Sequence, residues 1–271
     1  MTTVKETEPV EHALPGYNWS LKKVRRWVKQ VMRCEVSRSA LRILLKQKGL
    51  SWKKCQKVLK KAKPEQRATF MQEFQQSFSQ VCQGKVRLIY IDEAHVHRDM
   101  DLGYTWAPTG KPAWRLSDCP PLADRINWYG AYDFSRAQCF IWQEGACNQE
   151  NTIQFLHHLA EWVGPLSASV LIIWDGAPWH KAKQVQEAAA ELGFTLQPLP
   201  GYSPDLNPIE GLWKWMREEV TRNHCHLTMR ELFDACKAFI DRINAAPDQL
   251  LTRLWPKFEL DPAFEKLLVS N

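Results

Sequence analysis

Apolar positions along the chain change their period twice. Between residues 20 and 49 they recur every three or four places: Leu21, Val24, Val28 and Val31 behind Ser20, then Ala40, Leu41, Leu44 and Leu45 behind Ser37. A 3.6-residue period opened by a serine that can accept a backbone N–H predicts a capped helix. Two short helices are therefore expected, the second stopped by Gly49, and such a pair fits a helix-turn-helix. "SWKKCQKVLKKAKPE" continues as a wing or a linker, Pro64 marks a boundary, and "EQRATFMQEFQQSFSQVCQ" reads as a connecting helix.

From Val86 the period shortens. "KVRLIYID" is a buried strand ending in acid, and "GYTWAP", "INWYGAYDF" and "AQCFIWQE" are aromatic and β-branched runs between turn residues, read as antiparallel strands. "NTIQFLHHLAEWVG" returns to the helical period, with Ile153, Leu156, Leu159, Ala160 and Val163 on one face. "ASVLIIWD" is a second buried strand ending in acid. A helix over about 181–192 follows, stopped by Gly193, and then a strand, "FTLQPLP". In "GYSPDLNPIEGLWKW", Asn207 reads as an N-cap, Pro208 as the first helical position and Glu210 as the third. Thr228 and Glu231 make a capping box ahead of "MRELFDACKAFIDRI". Strands followed by alternating helices and strands imply an α/β fold, a mixed sheet with helices on its faces.

Charge sharpens the division. The chain of 271 residues carries a net +6, yet residues 17–63 hold sixteen Lys and Arg against the single acid Glu35, a local +15 that leaves −9 elsewhere. A basic helical head on a mildly acidic body points to a polyanion partner for the head, with Arg38, Arg42, Lys46, Lys53 and Lys54 as phosphate contacts. The eight scattered cysteines form no C-x-x-C pair, as in a reduced, cytoplasmic protein. No apolar run approaches a membrane span, and "MTTVKETEPVEHALPG" lacks the apolar core of a secretion signal.

Three acids stand at comparable places: Asp92 and Asp175 at the ends of buried strands, Glu210 at a helix start. If the strands are neighbours, the first two carboxylates lie side by side and repel unless a cation or proton intervenes. Mg2+ suits all-oxygen ligands, and two such ions can clamp an in-line phosphoryl displacement. Each acid also has a plainer role: Asp92 and Asp175 can cap the segments next in the chain, and Glu210 favours a helix N-terminus. Glu93 should point to the opposite strand face from Asp92. "DEAH" at 92–95 has no G-x-x-x-x-G-K-[ST] partner, so an ATPase is excluded. His95 with His97, and His224, Cys225 and His226, are poor zinc candidates without further spaced ligands. His180 and Lys181 follow Asp175 closely and can touch phosphate; His180 can equally hold the turn together.

"IDEAHVHRDMDLGYTWAPTGKP", "LIIWDGAPWHKAK" and "LPGYSPDLNPIEGLWKWMR" resemble the three motif blocks of DDE transposases of the mariner superfamily, in its bacterial insertion-sequence branch. The resemblance implies an RNase H-like catalytic domain with two Mg2+ or Mn2+ ions on Asp92, Asp175 and Glu210. It implies cleavage of double-stranded DNA at terminal inverted repeats, transfer of the freed 3′-hydroxyl into target DNA at a TA step, and action as a homodimer. The implied site of action is the bacterial cytoplasm, at the nucleoid. Family members usually carry two N-terminal helix-turn-helix units, and residues 17–63 resemble the second. The expected plan is a flexible tail (1–16), a basic helix-turn-helix domain (17–63), a linker helix (64–85) and an RNase H-like catalytic domain (86–271). The alternative is a catalytically silent DNA-binding relic or repressor of a longer enzyme.

Overall fold

The computed structural model describes residues 2–53, 63–165 and 168–256. The chain divides into two units, residues 1–57 and 58–271.

In the first unit, α1 (Thr2–Glu6) precedes the expected pair α2 (Leu21–Met32) and α3 (Arg38–Gln47). Both serine caps form: Ser20 Oγ accepts from Lys23 N–H at 3.3 Å and Ser37 Oγ from Ala40 N–H at 3.1 Å. The shared core is thin, made of Val24, Val28 and Leu41, with Leu21 and Leu45 packed against it. Val31 and Leu44, expected inside, are exposed, and so is Ala40. Two short helices meet along a stripe too narrow to cover every apolar position. Residues 2–16 are no loose tail. Val4 packs on this core, Leu14 is buried, and Trp19 donates its indole N–H to the Thr7 carbonyl at 2.7 Å. The rings of His12, Trp19 and Trp27 complete the join.

The second unit is a five-stranded mixed sheet with helices on both faces. Its strands are β1 (Val86–His97), β2 (Arg125–Asp133), β3 (Gln138–Gln143), β4 (Ser169–Trp174) and β5 (Phe194–Pro198), in the order β3-β2-β1-β4-β5. β1, β2 and β3 pair antiparallel, and β4 and β5 run parallel to β1. Alternation along β1 splits the core in two. Leu88, Tyr90, Ala94 and Val96 face α4 (Pro64–Cys82), α7 (Ile209–Met216), α8 (Met229–Asn244) and α9 (Pro247–Arg253). Ile89 and Ile91 face α5 (Gln149–Val163) and α6 (Lys183–Glu191).

Three expectations need correction. β1 does not end at Asp92 but continues to His97, because β2 keeps pairing with it after β4 has stopped. "GYTWAP" is no strand: every residue from Asp101 to Cys119 is exposed, and among the described residues no strand pairs with it. α4 is no mere linker. Phe70, Met71, Phe74 and Val81 are buried in the larger core, each such side chain stabilising by about 1.5–3 kcal/mol. Its Arg67 is fully buried and makes two hydrogen bonds to the Asp205 carboxylate, at 2.7 and 3.1 Å.

Candidate active site

The register of the central strands places the first two acids. The last rung of the parallel pair joins Tyr90 to Ile173, so Asp92 and Asp175 each stand two residues beyond it. Asp92 belongs to the face that packs against α7, and Glu210 opens that helix in its first turn. All three carboxylates line one open cleft of about 1130 Å³, with Lys181, Asn207 and the α4 residue Thr69 also on its wall.

Asp92 is held from α7. Trp213 donates its indole N–H to Asp92 Oδ2 at 3.0 Å. The indole fits because Gly130, the cross-strand partner of Asp92, has no side chain: a Cβ there would stand 2.5 Å from the Trp213 ring. A glycine inside the aromatic strand "NWYGAYD" was a readable sign of such a close approach. Asn207 does not cap the helix with its side chain. Its Nδ2 donates to the Ile91 carbonyl at 3.3 Å, tying the start of α7 to the residue before Asp92.

Asp175 is held from the other side. Its Oδ1 accepts from Ala177 N–H at 2.9 Å and lies 2.8 Å from His180 Nδ1. The second ring nitrogen of His180 is 2.8 Å from Glu93 Oε1, which also accepts from Trp179 Nε1 at 3.2 Å. His180 is 3% exposed and its ring stacks on Trp174, with centroids 4.2 Å apart. It is therefore not placed to touch phosphate: one ring nitrogen faces Glu93, and the other faces Asp175, its carboxylate at 2.8 Å and its main-chain carbonyl at 3.1 Å. Glu93 is the residue that sequence reasoning underrated. It does face away from Asp92, and from that face it reaches Asp175 through His180.

The electrostatics follow from this packing. Burial, then the charges of Glu210, Glu93 and Asp175, push the Asp92 carboxyl well above its usual range, against the Trp213 hydrogen bond. Burial also raises Glu210; Arg217 opposes the shift and Asp175 adds to it. Burial acts to raise Asp175 as well, but hydrogen bonds from His180 and Ala177 N–H, with the charges of His180 and Lys181, bring it below the usual value. Burial disfavours charge on His180, yet its hydrogen bonds to Asp175 and Glu93 outweigh that and raise it to about 10. His180 is an imidazolium at neutral pH.

Three carboxylates meeting at one cleft, with the most buried of them resisting ionisation for want of a countercharge, are the donor set of a hard divalent cation. Mg2+ or Mn2+ fits this all-oxygen set. Among the described residues, the grouping of possible ligands whose atoms all lie within 4.8 Å of one another is Glu93, Asp175 and His180; Asp92 and Glu210 stand outside it on the same cleft. His95 instead bonds Asn127, and His226 is buried against the Val220 carbonyl.

In the first unit, Arg38, Arg42 and Lys46 are exposed at four-residue spacing along α3, and Lys53 is exposed beyond it. Lys54 lies outside the described residues. Among the described residues, no helix is long and apolar enough to cross a membrane.

Known proteins show the same plan. Residues 15–74 match the winged helix-turn helix family. The insertion element IS630 uncharacterized 39 kDa protein of Shigella sonnei is 21% identical over 84% of this chain and 66% of its own length, so the chain spans a little under two thirds of that relative. The crystal structure of the Mos1 strand transfer complex matches with a TM-score of 0.65 at 17% identity, over 94% of this chain and 79% of that one. The mariner Mos1 paired end complexes with Mg and with Mn each match at 0.60, covering 94% and 93% of this chain and 80% and 74% of theirs, at 18% and 17% identity. The sheet order and its flanking helices are thus RNase H-like. Residues 87–232, more than half of the chain and including all three cleft acids, match the model of the DDE superfamily endonucleases, and the chain belongs to that family.

Proposed function

We propose that the protein is a cut-and-paste DNA transposase: it cleaves double-stranded DNA at terminal inverted repeats and joins the freed 3′ end to target DNA. The observation that carries this reading is the convergence of Asp92, Asp175 and Glu210, from two strands and a helix, on one cleft in a DDE superfamily endonuclease. Asp92, Asp175 and Glu210 hold two divalent cations, Mg2+ or Mn2+. Bound there, the cations would activate the incoming oxygen and stabilise the leaving one at a phosphodiester.

The chain's own groups do the rest. Trp213 fixes one oxygen of Asp92 and His180 one oxygen of Asp175, so each carboxylate keeps its other oxygen for the cleft. Lys181 on the cleft wall takes a backbone phosphate. Arg38, Arg42, Lys46, Lys53 and Lys54 bind the duplex, their charges neutralising phosphates rather than reading bases.

The Mos1 transposase is known as a paired-end complex with the left transposon end, which supports the same kind of DNA partner here. The protein acts as a homodimer. The exposed aromatic run Tyr104, Trp106 and Trp114, with Leu116, supplies apolar surface for a second copy. A TA step is the expected target, and the bacterial nucleoid the expected place of action. The anchored carboxylates of Asp92 and Asp175 favour an enzyme over a silent relic.

The test is a nicking assay with the full chain, Mg2+ or Mn2+, and a plasmid carrying the DNA that flanks the gene on both sides. Asp92→Asn should lose cutting and keep DNA binding. Cutting that persists in this variant would refute the assignment.

A further inference from the structure

Asp175 is held only in part by its own turn. It follows the last residue of β4, and its side chain is 52% exposed. Within its own turn, among the described residues, only Ala177 N–H holds it. The other restraint comes from His180, which is itself held on three sides. Its ring plane lies 6° from parallel to that of Trp174, its backbone N–H donates to the Ala177 carbonyl, and its carbonyl accepts from Gln186 at 2.7 Å. Behind it stands Glu93, adjacent to Asp92 on β1 and on the opposite face. Asp92 and Asp175 are therefore joined twice, once through the sheet and once through a Glu93–His180 strut behind it.

We infer that Glu93 and His180 are positioning residues of the metal site: the strut sets the orientation of the Asp175 carboxylate and its spacing from Asp92. This rests on the reading of the cleft as a divalent-cation site. A partner that orients a ligating carboxylate raises metal affinity through geometry. Two other roles give different signatures. A purely electrostatic role makes Glu93 an attractant and His180 a repellent of cations, so their losses act in opposite directions. A packing role alone lowers stability without touching metal affinity.

The experiment measures Mn2+ binding to the full chain by electron paramagnetic resonance, alongside thermal melting. Glu93→Gln/His180→Leu removes one negative and one positive charge together and keeps the side-chain volume close. The expected result is a dissociation constant about tenfold higher than wild type, with melting shifted by no more than a few degrees. His180→Asn with Glu93 retained, whose amide can still donate to Asp175, should regain most of that affinity. A double variant that binds Mn2+ within twofold of wild type overturns the inference.

If the double variant does not fold, His180→Ala decides by direction. Weaker Mn2+ binding supports positioning; unchanged or tighter binding overturns it. A wild-type chain that binds no Mn2+ overturns the metal reading of the cleft and this inference with it. Normal wild-type binding with indifferent variants overturns the inference alone.

Discussion

Trp213 donates its indole N–H to Asp92 Oδ2 across 3.0 Å, so a residue in the middle of α7 sets the carboxylate of the central strand. Trp213→Phe keeps most of the packing and deletes the donor. It leaves a buried carboxyl oxygen without its partner, which should cost about 1–3 kcal/mol, and should lower cleavage while leaving DNA binding intact. Gly130→Ala should be at least as harmful, because its Cβ meets the indole at 2.5 Å and overpacking costs about 1–3 kcal/mol. Chemical denaturation beside the nicking assay reads both; a Gly130→Ala protein as stable and active as wild type would contradict the packing.

Asp92 ionises at a cost, since burial and three neighbouring carboxylates oppose its charge. Neutralising it removes that cost from the metal-free protein. Asp92→Asn should therefore melt at the same temperature as wild type or higher when EDTA is present. Added Mg2+ should raise the melting temperature of wild type and not of the variant. A variant that melts well below wild type in EDTA would show that the charge was already compensated.

Arg67 and Asp205 tie α4 to the turn that leads into α7. Asp205→Ala takes one carboxylate from a buried guanidinium. A fully buried pair would cost about 3–5 kcal/mol, but the Asp205 side chain is 41% exposed, so about 1–3 kcal/mol is expected. Because Asp205 lies five residues before Glu210, cleavage should fall further than stability alone accounts for. Unfolding curves with matched activity measurements check this.

Much of the site was legible because it depends on local signals. An acid closing a buried apolar run, and a proline-led helix with an acid in its first turn, can be recognised within ten residues of sequence, and these singled out Asp92, Asp175 and Glu210, which line one cleft. The errors came from partners far away in sequence. Asn207 looked like a helix cap, but the Ile91 carbonyl, 116 positions earlier, claims its amide. His180 looked like a phosphate contact, but Glu93, 87 positions earlier, claims its ring. "GYTWAP" has strand-like side chains and, among the described residues, no strand beside it. The helix of residues 64–82 did carry its signal, Phe70, Phe74 and Phe78 at four-residue spacing, a stripe that needs a surface to cover it.

The cysteines differ sharply in environment. Cys34, Cys82 and Cys119 are exposed, whereas Cys139 and Cys236 are buried. Burial pushes the Cys236 thiol up to about 12, against a hydrogen bond with Trp128, and pushes Cys139 higher still. Thiolate is the reactive form, and its population grows as pH rises toward the thiol's own value. At pH 8 a thiol reagent should modify Cys34, Cys82 and Cys119 within minutes and spare Cys139 and Cys236 until the protein unfolds. Peptide mapping of the labelled sites checks the order.

Arg42, exposed between Arg38 and Lys46 on α3, is proposed to meet a phosphate. Arg42→Ala should weaken binding to all duplexes alike and reduce the slope of log affinity against log salt by about 0.9. A loss confined to one DNA sequence would instead mark Arg42 as a reader of bases.

The burial of α4 has a consequence for anyone exchanging DNA-binding heads between relatives. A chimera spliced at Val86 would strip an aromatic helix from its own sheet and substitute a foreign one whose side chains were shaped for another surface. Placing the junction ahead of Pro64 lets the body travel with its native cover. In this protein the seam suited to modular exchange lies upstream of the helix that looks like a tether.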